Sequence, residues 1–203
     1  MLLHGLFGEE CTNCIGKWTA NHNTVEMLSE KDLGLWRVRM KFIFLDVDGV
    51  LNCIQTKAQA PSGCTGIEAK LVKNLARIVN ETKALIILTS DWKVEWEAVS
   101  FCCSEDAKYL NEMLAKEGLQ IVGKTYDDHV YDYFLQDRGK GIHRYLDALE
   151  TAEGYVVIDD HIFGDFDEEI RKHLIKTNSF EGLTAEKAVQ AIEILNNANS
   201  DKT

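Results

Sequence analysis

Three short, nearly all-apolar runs in this chain each stop at a cluster of oxygen-bearing side chains. Phe42 to Leu45 ends at Asp46-Val47-Asp48, Ala84 to Leu88 at Thr89-Ser90-Asp91, and Tyr155 to Ile158 at Asp159-Asp160. Runs of this length match a strand, and the lack of polar alternation marks strands buried on both faces. Between them, apolar residues recur at helical spacing. Gly66 to Asn80 carries Ile67, Leu71, Leu75, Ile78 and Val79, behind Thr65 and Glu68 in a capping-box pattern. Ser104 to Lys116 turns Ala107, Leu110, Met113 and Leu114 to one side, and Gly118 suits its C-terminal end. Lys140 to Leu149 and Thr184 to Leu195 read as further helices, the second with Thr184 as N-cap. Leu119 to Val122 and the weaker His173 to Thr177 supply two more strands.

Strands that alternate with helices predict an α/β fold, a three-layer Rossmann-like parallel sheet with helices on both faces. In such sheets ligands bind beyond the carboxyl ends of the strands, where all three oxygen clusters lie. The expected organisation is an N-terminal extension over 1–40, one domain over 41–198 and a flexible tail over 199–203. The first stretch mixes Gly, Asn, Thr and two Trp without a sustained period. Met40 stands directly before the first strong strand. Two readings stay open: Met40 is the natural start, or residues 1–39 pack on the domain. Cys11 and Cys14 form a C-x-x-C that His4 and His22 could complete as a zinc site, but a lone pair is a weak signal beside chance thiols.

Charge narrows the function. The 33 acidic and 22 basic residues leave a net charge of −11. That disfavours an extended nucleic-acid contact, which needs many cations on phosphates. A local basic groove around Lys70, Lys73, Lys93 and Lys140 stays compatible with it. Acids also gather where a divalent cation is held. Of the six cysteines, Cys102 and Cys103 are adjacent and do not look like a disulfide framework. Reduced thiols in a cytoplasmic protein are the simpler reading. No run of about 18 apolar residues suggests a membrane span.

Asp46 ends a buried strand, Asp48 follows two residues on, and Gly49 permits a sharp turn. Two carboxylates this close are costly to ionise without a cation, and Mg2+ prefers such oxygen ligands. From the residues alone, a strand ending in a solvated Asp-containing turn is an equally good reading.

FLDVDGVLN over residues 44–52 resembles motif one of the haloacid dehalogenase (HAD) superfamily, and LIILTS, RGKGI and YVVIDD follow in that family's order. The resemblance covers residues 41–198. It implies a HAD-like fold and a Mg2+-dependent phosphatase. Asp46 then matches the nucleophile that forms an aspartyl-phosphate, and Asp48 the general acid and base. Thr89 matches the hydroxyl that binds the phosphoryl group, with Ser90 a close competitor. Lys140 matches the lysine that neutralises the nucleophile and binds phosphate, although Arg138 and Lys124 lie near it. Asp160 matches the acidic metal ligand, with Asp159 sharing that role. An Asp46 oxygen and the Asp48 carbonyl would complete the protein ligands. LTSDWK, with Trp92 after the second motif, and the late Gly182-Leu183-Thr184 resemble a subgroup of small domains associated with RNA repair proteins.

Residues 53–65 are too few for a helical cap, and 92–139 are largely used by a helix and a strand. The expectation is therefore an open site with no large cap, with the aromatic and acidic loop 124–139 as a lid or specificity element. His161 borders the site or is a surface histidine. Trp92 and Trp96 read as core or rim. Asp165, Asp167, Glu168 and Glu169 read as a solvated helix start, where the dipole favours acids. The leading function is phosphate-monoester hydrolysis on a small molecule or a polymer end. The rivals are a nucleic-acid 3′-end phosphatase and a non-catalytic metal-binding domain.

Overall fold

The computed structural model describes residues 27–29, 36–38, 40–126, 137–149 and 152–197. In the N-terminal stretch, β1 (Met27–Ser29) and β2 (Trp36–Val38) pair antiparallel, with Met27 opposite Val38. Strands this short carry too few residues to display a period, so this ladder is not legible from sequence pattern.

From β3 (Met40–Leu45) the chain runs through α1 (Ala69–Thr82), β4 (Leu85–Leu88), α2 (Glu105–Ala115), β5 (Ile121–Lys124) and α3 (Arg138–Asp147). It continues through β6 (Ala152–Asp159), α4 (Glu168–Lys172), β7 (Leu174–Lys176) and α5 (Ala185–Asn197). The five strands β3 to β7 form one all-parallel sheet in the order β5-β4-β3-β6-β7. The chain starts at the centre, builds outward through β4 and β5, then crosses back to β6 and β7. The order therefore reverses between β3 and β6, and a crevice opens there at the carboxyl ends of the strands.

Burial on both faces explains the apolar runs. Ile43, Leu45, Ile86, Leu88, Val156 and Ile158 join a core beneath α1, α2 and α5. Their neighbours Phe42, Phe44, Ile87, Tyr155 and Val157 join a second core beneath α3 and α4. Successive side chains serve opposite layers, so no position can be polar until a strand ends.

Helix starts depart from the sequence reading. Thr184 caps as expected, its Oγ1 accepting from Lys187 N at 3.4 Å, and Ser104 caps α2, accepting from Ala107 N at 3.2 Å. The Thr65–Glu68 capping box does not form, and α1 begins at Ala69. Gly66 N donates instead to Ala58 O and Glu68 N to Leu51 O, both at 2.8 Å. The chain there is tied to the loop after β3 rather than wound into the helix. Helix α3 begins at Arg138, two residues before the expected Lys140. Among the described residues no segment forms a cap domain, and no helix is long and apolar enough to cross a membrane.

Candidate active site

Strand register brings the oxygen clusters together. Leu45 lies level with both Leu88 and Ile158, so Asp46, Thr89 and Asp159 follow in one row across three strands. The ladder extends into that row: Thr89 N donates to Leu45 O and Asp46 N to Ile158 O, each at 2.9 Å. Past Asp46 the chain turns at once, with Leu51 N donating to Val47 O at 2.8 Å. Gly49 makes the turn possible twice over. Its φ of 71° lies in the left-handed region, and a Cβ there would collide with the Asp160 carboxylate.

Asp46, Asp159 and Asp160 each offer a carboxylate oxygen, and these oxygens lie within 4.8 Å of one another. Asp46 and Asp159 are buried and Asp160 partly so. Three hard oxygen donors at this spacing fit a divalent cation such as Mg2+ or Ca2+. They line a cavity of about 810 Å3 whose wall also carries Asp48, Asp91, Asp137 and Asp165, against the cations Arg138 and Lys140.

The cation that pairs with Asp46 is Arg138. Its Nη1 lies 3.0 Å from Asp46 Oδ1 and 2.9 Å from Asp159 Oδ2, and its Nη2 3.1 Å from Asp91 Oδ1. The Phe163 ring packs 4.3 Å from the guanidinium carbon. Lys140, expected in this role, is exposed in the cavity wall, and its side chain makes no hydrogen bond or ion pair among the described residues. The reason is the earlier start of α3, which aims its first residue at the sheet. Gly139 lets the helix approach, since a Cβ there would sit 2.5 Å from Asp165 O. Asp165 Oδ2 then accepts from Lys140 N at 3.0 Å, which ties that carboxylate to the helix rather than to the cluster of Asp46, Asp159 and Asp160.

Electrostatics follow from burial. Burial pushes the Asp46 carboxyl up to about 7; Arg138 opposes the shift, while Asp159 and Asp48 add to it. Asp159 is raised for the same first reason, with Arg138 and the His161 N–H pulling back. Burial would lower Arg138, but Asp46, Asp159 and Asp91 outweigh it and hold the guanidinium charged. A divalent cation among these carboxylates would favour their ionised forms.

Thr89 is fully buried, and its hydroxyl has no partner among the described residues. Ser90 lines the cavity, and its Oγ accepts from Trp92 N at 3.5 Å, capping a 3₁₀ turn over Asp91–Glu95. Trp92 is half-buried and its Nε1 donates to Asp48 Oδ2 at 3.0 Å, so it belongs to the rim. Trp96 is core, donating to Asn111. His161 borders the cavity, its N donating to Asp159 Oδ1 at 2.8 Å. Asp167 caps α4, with Glu168 and Glu169 in its first turn, as expected.

The basic groove does not form as drawn. Lys70 and Lys73 are exposed on α1, but Lys93 is buried, its Nζ donating to Thr89 O at 3.0 Å. Sequence reading gave Arg138 only as a neighbour of Lys140 and Asp91 only as the end of the cluster after β4, without a role for either. It passed over Asn52, which nothing local marked. The C-x-x-C with His4 and His22, residues 127–136 of the proposed lid loop, and the tail 199–203 lie outside the described residues.

A family model described as the HAD domain in Swiss Army Knife RNA repair proteins matches residues 42–188, well over half of the chain. No curated protein and no solved structure matches.

Proposed function

The chain belongs to the family of HAD domains in Swiss Army Knife RNA repair proteins, and from that membership we propose that it is a Mg2+-dependent phosphate-monoester hydrolase working through an aspartyl-phosphate. The observation that carries the reading is the row of Asp46, Thr89 and Asp159 at the sheet's switch point, with Asp48 and Asp160 beside it. Asp46 attacks phosphorus, forming a phosphorus–oxygen bond as the bond to the leaving oxygen breaks. Asp48 gives its proton to that leaving oxygen. Asp48 then takes a proton from water, whose oxygen attacks the phosphorus, releasing phosphate and restoring Asp46. Mg2+ held by Asp46, Asp159, Asp160 and the Asp48 carbonyl would supply the positive charge that lets carboxylate and phosphate approach. Arg138 holds Asp46 in place and offsets its charge. Thr89 supports binding of the phosphoryl group, because its buried hydroxyl needs a partner, and Ser90 assists from the wall. Lys140 meets the incoming anion at the rim.

A second reading, a 3′-end phosphatase acting on RNA or DNA, is favoured by the repair proteins named in the family's description. The open cavity without a cap suits a polymer end. Free thiols at Cys53, Cys64, Cys102 and Cys103 support a cytoplasmic setting. The test is phosphate release from a panel of monoesters that includes 3′-phosphorylated RNA and DNA ends, with and without Mg2+. Release that needs Mg2+ and is lost in Asp46→Asn is the expected result. No release from any member by the wild type would sink the reading and leave a metal-binding, non-catalytic domain.

A further inference from the structure

Asp48 is exposed, yet each of its oxygens is held from a different side. Asn52 Nδ2 donates to Oδ1 at 2.8 Å, and Trp92 Nε1 donates to Oδ2 at 3.0 Å. Both donors are themselves fixed. Asn52 is only 3% exposed, and its Oδ1 accepts from Gly49 N at 2.9 Å, so one amide ties the turn's backbone to its carboxylate. Trp92 rides on the 3₁₀ turn after β4, which Lys124 anchors by donating to Lys93 O and Trp96 O. A solvated aspartate samples several rotamers, whereas this one is pinned between the loops that follow β3 and β4.

We propose that Asn52 and Trp92 are positioning residues that hold the Asp48 carboxyl for proton transfer to the leaving oxygen. This rests on the phosphatase reading and adds a substrate class to it: monoesters of weakly acidic alcohols, such as sugar hydroxyls. Such alcohols depart poorly as alkoxides, so the proton must arrive as the phosphorus–oxygen bond breaks. Phenols with acidic hydroxyls leave without it. Each carboxyl oxygen retains a second lone pair, so a proton can sit on either oxygen while the N–H donors stay engaged.

The test compares kcat/KM, which reports steps up to departure of the leaving group, for p-nitrophenyl phosphate and glycerol phosphate. Trp92→Phe keeps an aromatic ring and removes the N–H. It should lower kcat/KM on glycerol phosphate about tenfold or more and on p-nitrophenyl phosphate less than about twofold. In an Asp48→Asn background the same change should cost nothing further, because the residue acts through Asp48. Equal losses on both esters, or a loss that persists without Asp48, would overturn the clamp while leaving the phosphatase reading intact. Wild type inert on both esters would overturn the clamp's role on small monoesters, and inertness on 3′-phosphorylated ends as well would remove the phosphatase reading. A second readout needs no turnover. The indole N–H resonance that vanishes in Trp92→Phe should move in Asp48→Asn, and an unmoved resonance overturns the proposal.

Discussion

The floor of the cavity, where Asp46, Arg138 and Asp159 meet, differs from its rim, where Asp48 and Lys140 stand, in how far each is cut off from water. Floor charges are buried and must be satisfied by one another. Rim charges are exposed, and water can solvate them whatever the protein does. Fold and chemistry therefore share the same atoms on the floor, while on the rim chemistry can change with little effect on folding. The comparison also explains why two cations so close in sequence, Arg138 and Lys140, have different tasks. One balances carboxylates the fold has already buried, and the other faces what arrives from solution.

The largest expected effect is on the floor. Arg138→Met leaves Asp46 and Asp159 buried without their cation, and the metal-free protein should lose about 3–5 kcal/mol of stability. Thermal unfolding in EDTA measures it. Added Mg2+ should recover more stability in this variant than in the wild type, because a divalent ion supplies the missing charge. If Arg138→Met unfolds at the wild-type temperature in EDTA, floor and rim do not differ as described.

The second effect is on pH dependence without metal. Asp46 is raised from its ordinary 3.8 to about 7, so the folded state holds a proton that the unfolded state releases. Stability from this group is fully present below about 3.8, falls as pH rises, and is gone above about 7. Asp159 is raised too and acts in the same direction. Unfolding temperature in EDTA should therefore drop between pH 5 and pH 8. Asp46→Asn should flatten much of that slope, and Mg2+ should flatten it in the wild type. An unchanged slope in Asp46→Asn would assign the proton to another group.

On the rim the prediction reverses. Lys140→Ala should leave stability within about 0.5 kcal/mol, since the side chain is exposed and has no partner among the described residues. It should weaken binding of a phosphate monoester, the proposed substrate, seen as a raised KM with unfolding temperature unchanged. A fall in stability like that of Arg138→Met would show Lys140 to be part of the floor.

What the sequence made legible follows the same divide. The strands could be read because burial on both faces leaves no place for a polar residue between Phe42 and Leu45 or between Tyr155 and Ile158. The oxygen clusters were legible because they mark where that burial ends. Helix starts were not, because tertiary pairing decides them: Gly66 and Glu68 bond to the loop after β3, and α3 opens at Arg138. Because of that shift of two residues, the sequence reading put Lys140, rather than Arg138, beside Asp46. Lys93 was misplaced for a related reason. A lysine reads as a surface residue, and only the fold shows its Nζ turned inward to Thr89 O. Asp91 was visible in the cluster after β4, but its pairing with Arg138 was not, because that partner is distant in sequence. Asn52 carries no local signal, since it acts through a turn that the chain must first adopt.

The smallest of the effects on the floor is also the sharpest test of it. Thr89 is fully buried in the row between Asp46 and the end of β5, and its hydroxyl has no partner among the described residues. A desolvated hydroxyl without a partner is costly in a folded protein. Valine has nearly the same shape and no such group. Thr89→Val should therefore stabilise the metal- and phosphate-free protein, by about 1 kcal/mol, the scale of one lost or unmade hydrogen bond. The same change should weaken inorganic phosphate as a competitive inhibitor, because the hydroxyl that was costly in the free protein is the one a phosphoryl oxygen would satisfy. Chemical denaturation and product inhibition read the two effects separately. A variant that is both more stable and worse at holding phosphate would make Thr89 a floor residue kept for binding at some cost to the fold. A variant that is less stable would show that the hydroxyl is already satisfied in the free protein, and Ser90, from the wall, would become the better phosphate contact.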